Sequence, residues 1–99
     1  MSASCEPRHV SDAAERVVVL PNHLHARPAG QVAQAAARHQ ATSIELAAGD
    51  RRANARSVLA VMGLGAVSGT EVRVIVAGPG ADAVADELAR ILATPETDA

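Results

Sequence analysis

The 99-residue chain contains no lysine, no phenylalanine, no tyrosine and no tryptophan, and its single cysteine is Cys5. Each absence excludes a class of chemistry. Without lysine there is no amine for a Schiff base and no lysine of a Walker-type phosphate loop. Without aromatic side chains there is no stacking platform for bases and no cage for a quaternary cation. One thiol cannot staple a domain, and no cysteine cluster is present to hold zinc, which fits a reducing compartment. The 9 basic residues, all arginine, are outnumbered by 11 acidic ones, for a formal net charge of −2. No basic field is therefore available for a nucleic-acid backbone. No apolar run approaches the roughly 18 residues that cross a bilayer. The first twelve residues include Glu6, Pro7, Arg8, His9 and Asp12 and do not form the apolar stretch of a signal peptide. These features predict a soluble, cytoplasmic protein with no membrane insertion.

What the chain does have is small aliphatic bulk. Alanine accounts for 23 residues, against 12 Val, 7 Leu and 3 Ile. The length suits one small domain. Such a chain buries only about 60–65% of its unfolded surface, so modest stability is expected and no deep cavity for a large cofactor.

Residues 1–14 are polar and irregular and read as a tail. Arg16-Val17-Val18-Val19-Leu20 is a β-branched run ending at Pro21, a strand with apolar residues on both faces and so little expected exposure. Residues 21–25 read as a loop and 26–40 as a helix, with Pro28 in the first turn and Ala29, Val32, Ala33 and Ala36 on one stripe. His39 falls in the last predicted turn, where partial positive charge suits the helix dipole; it and His9 are expected at the surface. Residues 42–46 alternate as a half-buried strand, 48–51 form a turn, and 52–55 a short returning strand. Ser57 caps a short helix through Val58, Leu59, Val61 and Met62, stopped by Gly63 and Gly65. After a turn at 68–70, residues 71–76 form a strand with Val72, Val74 and Val76 on one face. Val84, Leu88, Ile91 and Leu92 stripe a final helix. Pro95 and beyond is a frayed end. The order β-α-β-β-α-β-α is satisfied by two layers: a mostly antiparallel sheet of four strands with three helices on one face, an α+β fold.

The segment Asn22-His23-Leu24-His25-Ala26-Arg27-Pro28-Ala29 carries the chemistry. His25 falls at a helix start, where backbone N–H groups lack partners within the helix and draw anions. Arg27 adds a guanidinium suited to phosphate oxygens. An imidazole beside such a cradle is a competent nucleophile toward phosphorus. There is no carboxylate pair, metal cluster or glycine-rich phosphate loop nearby, so a carrier fits better than a catalyst. His23 and His25 as a metal pair would lack a third ligand in the neighbouring sequence, and no metal or other cofactor is expected.

The run Leu24-His25-Ala26-Arg27-Pro28-Ala29 resembles the active-site signature of HPr, the histidine-containing phosphocarrier family of the bacterial sugar phosphotransferase system. A second match is Asn54-Ala55-Arg56-Ser57-Val58-Leu59, followed by Met62-Gly63-Leu64-Gly65 and Gly69. The resemblance spans residues 15–94, leaving 95–99 as the frayed C-terminus. It implies an open-faced β-sandwich with three helices over one side. It implies that His25 accepts a phosphoryl group at Nδ1 from phosphorylated enzyme I, charged by phosphoenolpyruvate, and passes it to enzyme IIA domains. Arg27 would steady the group, with Asn22, Ala26 and Pro28 as neighbours. Ser57 matches the family's regulatory serine, a point for a kinase or transcriptional regulator. Val58, Leu59 and Met62 match its apolar docking patch, of which at least one or two are expected to be exposed. His23 stands where the family usually has glycine, Gly30 where a larger residue is usual, and Arg56 where lysine is common; the family's aromatic core residues are absent. A monomer is expected.

Two other readings compete. Within the same fold, the chain could serve a nitrogen-related relay or one feeding dihydroxyacetone kinase. From a different class, it could be a regulatory docking module that transfers nothing, using Ser57 and the 58–62 patch; the intact His25-Ala26-Arg27-Pro28 run argues against that. A small ligand-binding sensor would need a polar pocket signature, which the sequence lacks.

Overall fold

Strict alternation and the positions of Pro and Gly set the local structure, and the computed structural model, which describes residues 13–95, shows how the pieces assemble. The elements are β1 (Ala13–Val19), α1 (Ala26–Ala37), β2 (Ser43–Ala48), β3 (Arg51–Asn54), α2 (Val58–Gly63), β4 (Glu71–Ala77) and α3 (Ala81–Ala93). The strands form one sheet in the order β1-β4-β2-β3, each neighbour antiparallel. Helix α1 packs against both α2 and α3, and α3 also covers β1 and β4. Among the described residues no helix is long and apolar enough to cross a membrane.

The core lies between the sheet's inner face and the helices. Val72, Val74 and Val76 alternate inward from β4, joined by Ile44 and Leu46 from β2 and Val18 from β1. The helices contribute Val32, Val61, Val84, Leu88 and Leu92, with Ile91 partly buried. Each of these larger side chains contributes about 1.5–3 kcal/mol by leaving water. Alanines 29, 35, 36 and 85 are fully buried and let the helices sit close. Between β2 and β3, Gly49 and Asp50 form a two-residue hairpin turn, with Gly49 at φ 61°. Gly78 is required where β4 turns toward α3. Its φ is 127°, and a Cβ there would stand 3.0 Å from the Ala41 carbonyl oxygen. Thr42, a buried polar residue, is satisfied beside it by donating to the Pro79 carbonyl at 2.9 Å.

Three expectations need correction. The first strand starts at Ala13, inside the segment read as tail, because pairing with β4 extends from Val19↔Glu71 back to Ala13↔Ala77. Residues 1–12, with Cys5 and His9, and residues 96–99 lie outside the described residues. The same strand is not shielded on both faces. It is the sheet edge, and Val17 and Val19 are 55% and 61% exposed on the side away from the helices. Finally, α1 ends at Ala37 rather than Gln40. Tertiary contacts draw the chain off the helix there: the Arg56 guanidinium donates to the carbonyls of His39 and Thr42. His39, expected at the surface, is partly exposed there, and its Nε2 lies 2.8 Å from Glu87 Oε1 on α3. Arg38 pairs with the other Glu87 oxygen. The hydrogen bond to His39, helped by Arg38 and opposed by partial burial, holds the Glu87 carboxyl below the ordinary glutamate value of 4.5. On the far side of α3, Arg16 of β1 donates to Asp86 at 2.8 Å and faces Asp82 at 3.6 Å.

Candidate functional site

Helix α1 opens at His25, its N-cap residue, in extended conformation with φ −86° and ψ −169°. The His25 side chain makes no capping bond. An N-cap side chain normally accepts from the second or third helical N–H; here the third position is Pro28, which has none, and the Arg27 N–H at the second is not taken by the imidazole. The His25 N–H is taken by the His23 carbonyl at 3.0 Å, and the first internal helical bond runs from Ala29 N–H to the His25 carbonyl at 3.0 Å. The amides of Ala26 and Arg27 are left at the helix entrance, beside an imidazole that is exposed to solvent.

The loop before the helix is laced to the turn before β4. Leu24 N–H bonds the Ala66 carbonyl at 3.0 Å, Leu20 N–H the Thr70 carbonyl at 2.9 Å, and Gly69 N–H the Leu20 carbonyl at 2.8 Å. Gly69, at φ 89°, allows that turn to close. Two clefts flank the helix start. One, of about 200 Å³, is bordered by Asn22, His23, Arg27, Pro28 and Gln31 together with the end of α3. The other, of about 250 Å³, is bordered by His23, His25, Met62 and residues 65–67. Arg27 is exposed and forms no hydrogen bond or ion pair with the described residues. The fold places Arg27 and His25 two residues apart at one helix mouth, Arg27 bordering the first cleft and His25 the second.

Ser57 caps α2 as expected, its Oγ accepting the Ala60 N–H at 3.1 Å. Of the proposed patch, Leu59 is 81% exposed, Met62 40% and Val58 37%, while Val61 between them is buried. Val67, 49% exposed, borders the same cleft as His25 and Met62. Among the described residues, no three His, Cys, Asp or Glu side chains gather as metal ligands would.

The family described as "PTS HPr component phosphorylation site" matches residues 13–94. The chain belongs to the HPr family. It is 40% identical over 82 residues to the phosphocarrier protein HPr of Haloferax volcanii, spanning 81% of this chain and 92% of that protein. It is 37% identical over 75 residues to the phosphocarrier protein HPr of Lysinibacillus sphaericus, spanning 76% and 84%. In three dimensions it is similar to the HPr crystal structure from Bacillus anthracis, with a TM-score of 0.73 at 27% identity over 81% of this chain and 96% of that one. As a member of the HPr family, it is a phosphocarrier of the phosphotransferase system that works with that system's enzymes and is not itself an enzyme.

One residue at this HPr site has no counterpart among the residues singled out in the sequence. Val67 carried no periodic signal, since it lies in an irregular link. Its apolar side chain next to a Ser-Gly turn was the available hint. His23 stands out in the sequence as a possible metal pair with His25 and as a departure from the family's glycine, but its hydrogen-bond partner Ser68 lies 45 residues away.

Proposed function

We propose that His25 is the phosphoryl acceptor, taking the group from phosphorylated enzyme I and handing it to an enzyme IIA domain. One observation carries this reading: an exposed imidazole stands at the start of α1, uncommitted to capping, with the Ala26 and Arg27 amides beside it. The Nδ1 lone pair attacks phosphorus. The new N–P bond forms as the N–P bond of the donor phosphohistidine breaks, and the donor nitrogen recovers its lone pair. Developing charge on the phosphoryl oxygens meets the helix entrance and the Arg27 guanidinium, which has no competing partner among the described residues. Asn22, Ala26 and Pro28 complete the immediate surroundings, Pro28 by removing one of the two donors to which an N-cap side chain ordinarily bonds.

Val58, Leu59 and Met62, extended by Val67, form the surface on which enzyme I and enzyme IIA domains dock. A flexible methionine suits several partners. Ser57 is the candidate for regulatory phosphorylation by a kinase. A cytoplasmic setting is part of this reading, supported by the single cysteine of the sequence and by phosphoenolpyruvate as the proposed source of the group.

The test is incubation with enzyme I and phosphoenolpyruvate, followed by intact-mass measurement. The wild-type chain gains one phosphoryl group and His25→Ala gains none. Uptake that survives in His25→Ala overturns the assignment. Comparison with donors of the nitrogen-related and dihydroxyacetone-kinase relays identifies the branch served.

A further inference from the structure

His23 lies in an exposed loop, yet its ring is held on two sides. On one side, Nδ1 accepts the backbone N–H of Ser68 at 3.0 Å. A ring nitrogen that accepts from an amide must keep its lone pair, so the ring proton of this imidazole sits on Nε2. Ser68 is itself fixed, because its Oγ donates to the Pro21 carbonyl at 3.1 Å and the turn around it is tied to Leu20. On the other side, the His23 ring meets the His25 ring edge to face, with centroids 5.3 Å apart and planes at 88°. Aromatic rings favour this arrangement. His23 also accepts the His25 N–H through its own carbonyl at 3.0 Å. One residue therefore constrains both the backbone and the ring of its neighbour.

We infer that His23 is a positioning residue for phosphoryl transfer at His25: the Ser68 amide fixes the His23 ring, and that ring fixes the plane of the acceptor imidazole. The inference rests on His25 being the acceptor. Without a capping bond, the His25 side chain has no hydrogen bond of its own to set its rotamer. In-line transfer between two histidines requires the attacking lone pair to point along the bond that breaks. A ring free to rotate meets that requirement in only a fraction of encounters. The His23 ring supplies the missing restraint without covering the acceptor, since both residues remain exposed. It also stands where the two clefts meet, lining the one with Arg27 and the one with Met62.

Three variants separate ring from anchor. His23→Gly removes both, His23→Asn keeps an acceptor for the Ser68 amide without the ring, and His23→Phe keeps a ring without the acceptor. Steady-state transfer from enzyme I is measured with the full chain as substrate, beside thermal melting of each variant. In His23→Gly, kcat falls about tenfold while KM stays within about twofold, because the docking residues Val58, Leu59, Met62 and Val67 are unchanged and alignment is what is lost. His23→Asn falls equally far and His23→Phe recovers part of the loss. Wild-type kcat in His23→Gly, or full recovery in His23→Asn, overturns the inference. A second measurement needs no substitution. Nitrogen-15 spectra of the wild-type side chains show His23 protonated at Nε2 and His25 in one dominant rotamer; an Nδ1-protonated His23 or a rotationally averaged His25 overturns it as well. Failure of the two claims is distinguishable. A wild-type chain that takes no phosphoryl group at His25 removes the acceptor assignment, whereas uptake with a normal rate in His23→Gly removes only the positioning role.

Discussion

The two ends of helix α1 are opposites. At its start, Ala26 and Arg27 amides, the Arg27 guanidinium and the His25 imidazole face solvent with few internal partners. At its end, the charged and imidazole side chains are engaged. Arg38 and His39 share the Glu87 carboxylate, and Arg56 closes over the carbonyls of His39 and Thr42. Both ends of any helix leave backbone groups without helical partners. Here backbone amides take up carbonyls at the end that has only to be stable, side chains brace the loop just beyond it, and the end proposed to receive an anion is left open. The contrast teaches that unsatisfied polarity on a small domain is informative when the same element shows how easily it can be satisfied.

Substitutions at the two ends should therefore separate transfer from stability. The largest effect belongs to the open end. His25→Ala loses phosphoryl uptake altogether, while its unfolding free energy stays within about 0.5 kcal/mol of wild type, as befits an exposed side chain without a hydrogen bond. A large loss of stability in that variant would break the comparison. Arg56→Ala should do the reverse. Leaving the His39 and Thr42 carbonyls without their charged donor costs about 1.5–3 kcal/mol, read from urea unfolding, with uptake at His25 retained.

A smaller effect concerns the span between the ends. Gly30 lies inside α1, and a Cβ there meets nothing within 4 Å. Gly30→Ala should stabilise the chain by about 0.5–1 kcal/mol, a rise of a few degrees in Tm. The smallest effect sharpens the closed end. The Glu87 carboxyl is held below its ordinary value, so its contribution is present at neutral pH and is lost as pH falls from the ordinary value of 4.5 through the lower folded one. Glu87→Gln should flatten that part of the stability profile and cost about 0.5 kcal/mol at pH 7, since the pair is partly solvated. An unchanged acid limb would show that Glu87 is not what closes this end.

The element order, the helix start at His25, the Ser57 cap and the inward valines of β4 were all legible in the sequence. Their causes are local: a proline three residues on, a hydroxyl three residues before an amide, an alternation of period two. Distant partners were not legible. No spacing rule announces that Arg56 reaches back 14 and 17 residues to end α1 early, or that His23 finds an amide 45 residues away. Nor does Val17-Val18-Val19 reveal its place at the edge of the sheet, where two of the three valines are exposed. The amino-acid order alone set which groups sit at the mouth of α1, because capping acts within one turn. Only the packed fold decided which of those groups are restrained and which are left free, because that depends on chain segments brought together by burial of a shared core.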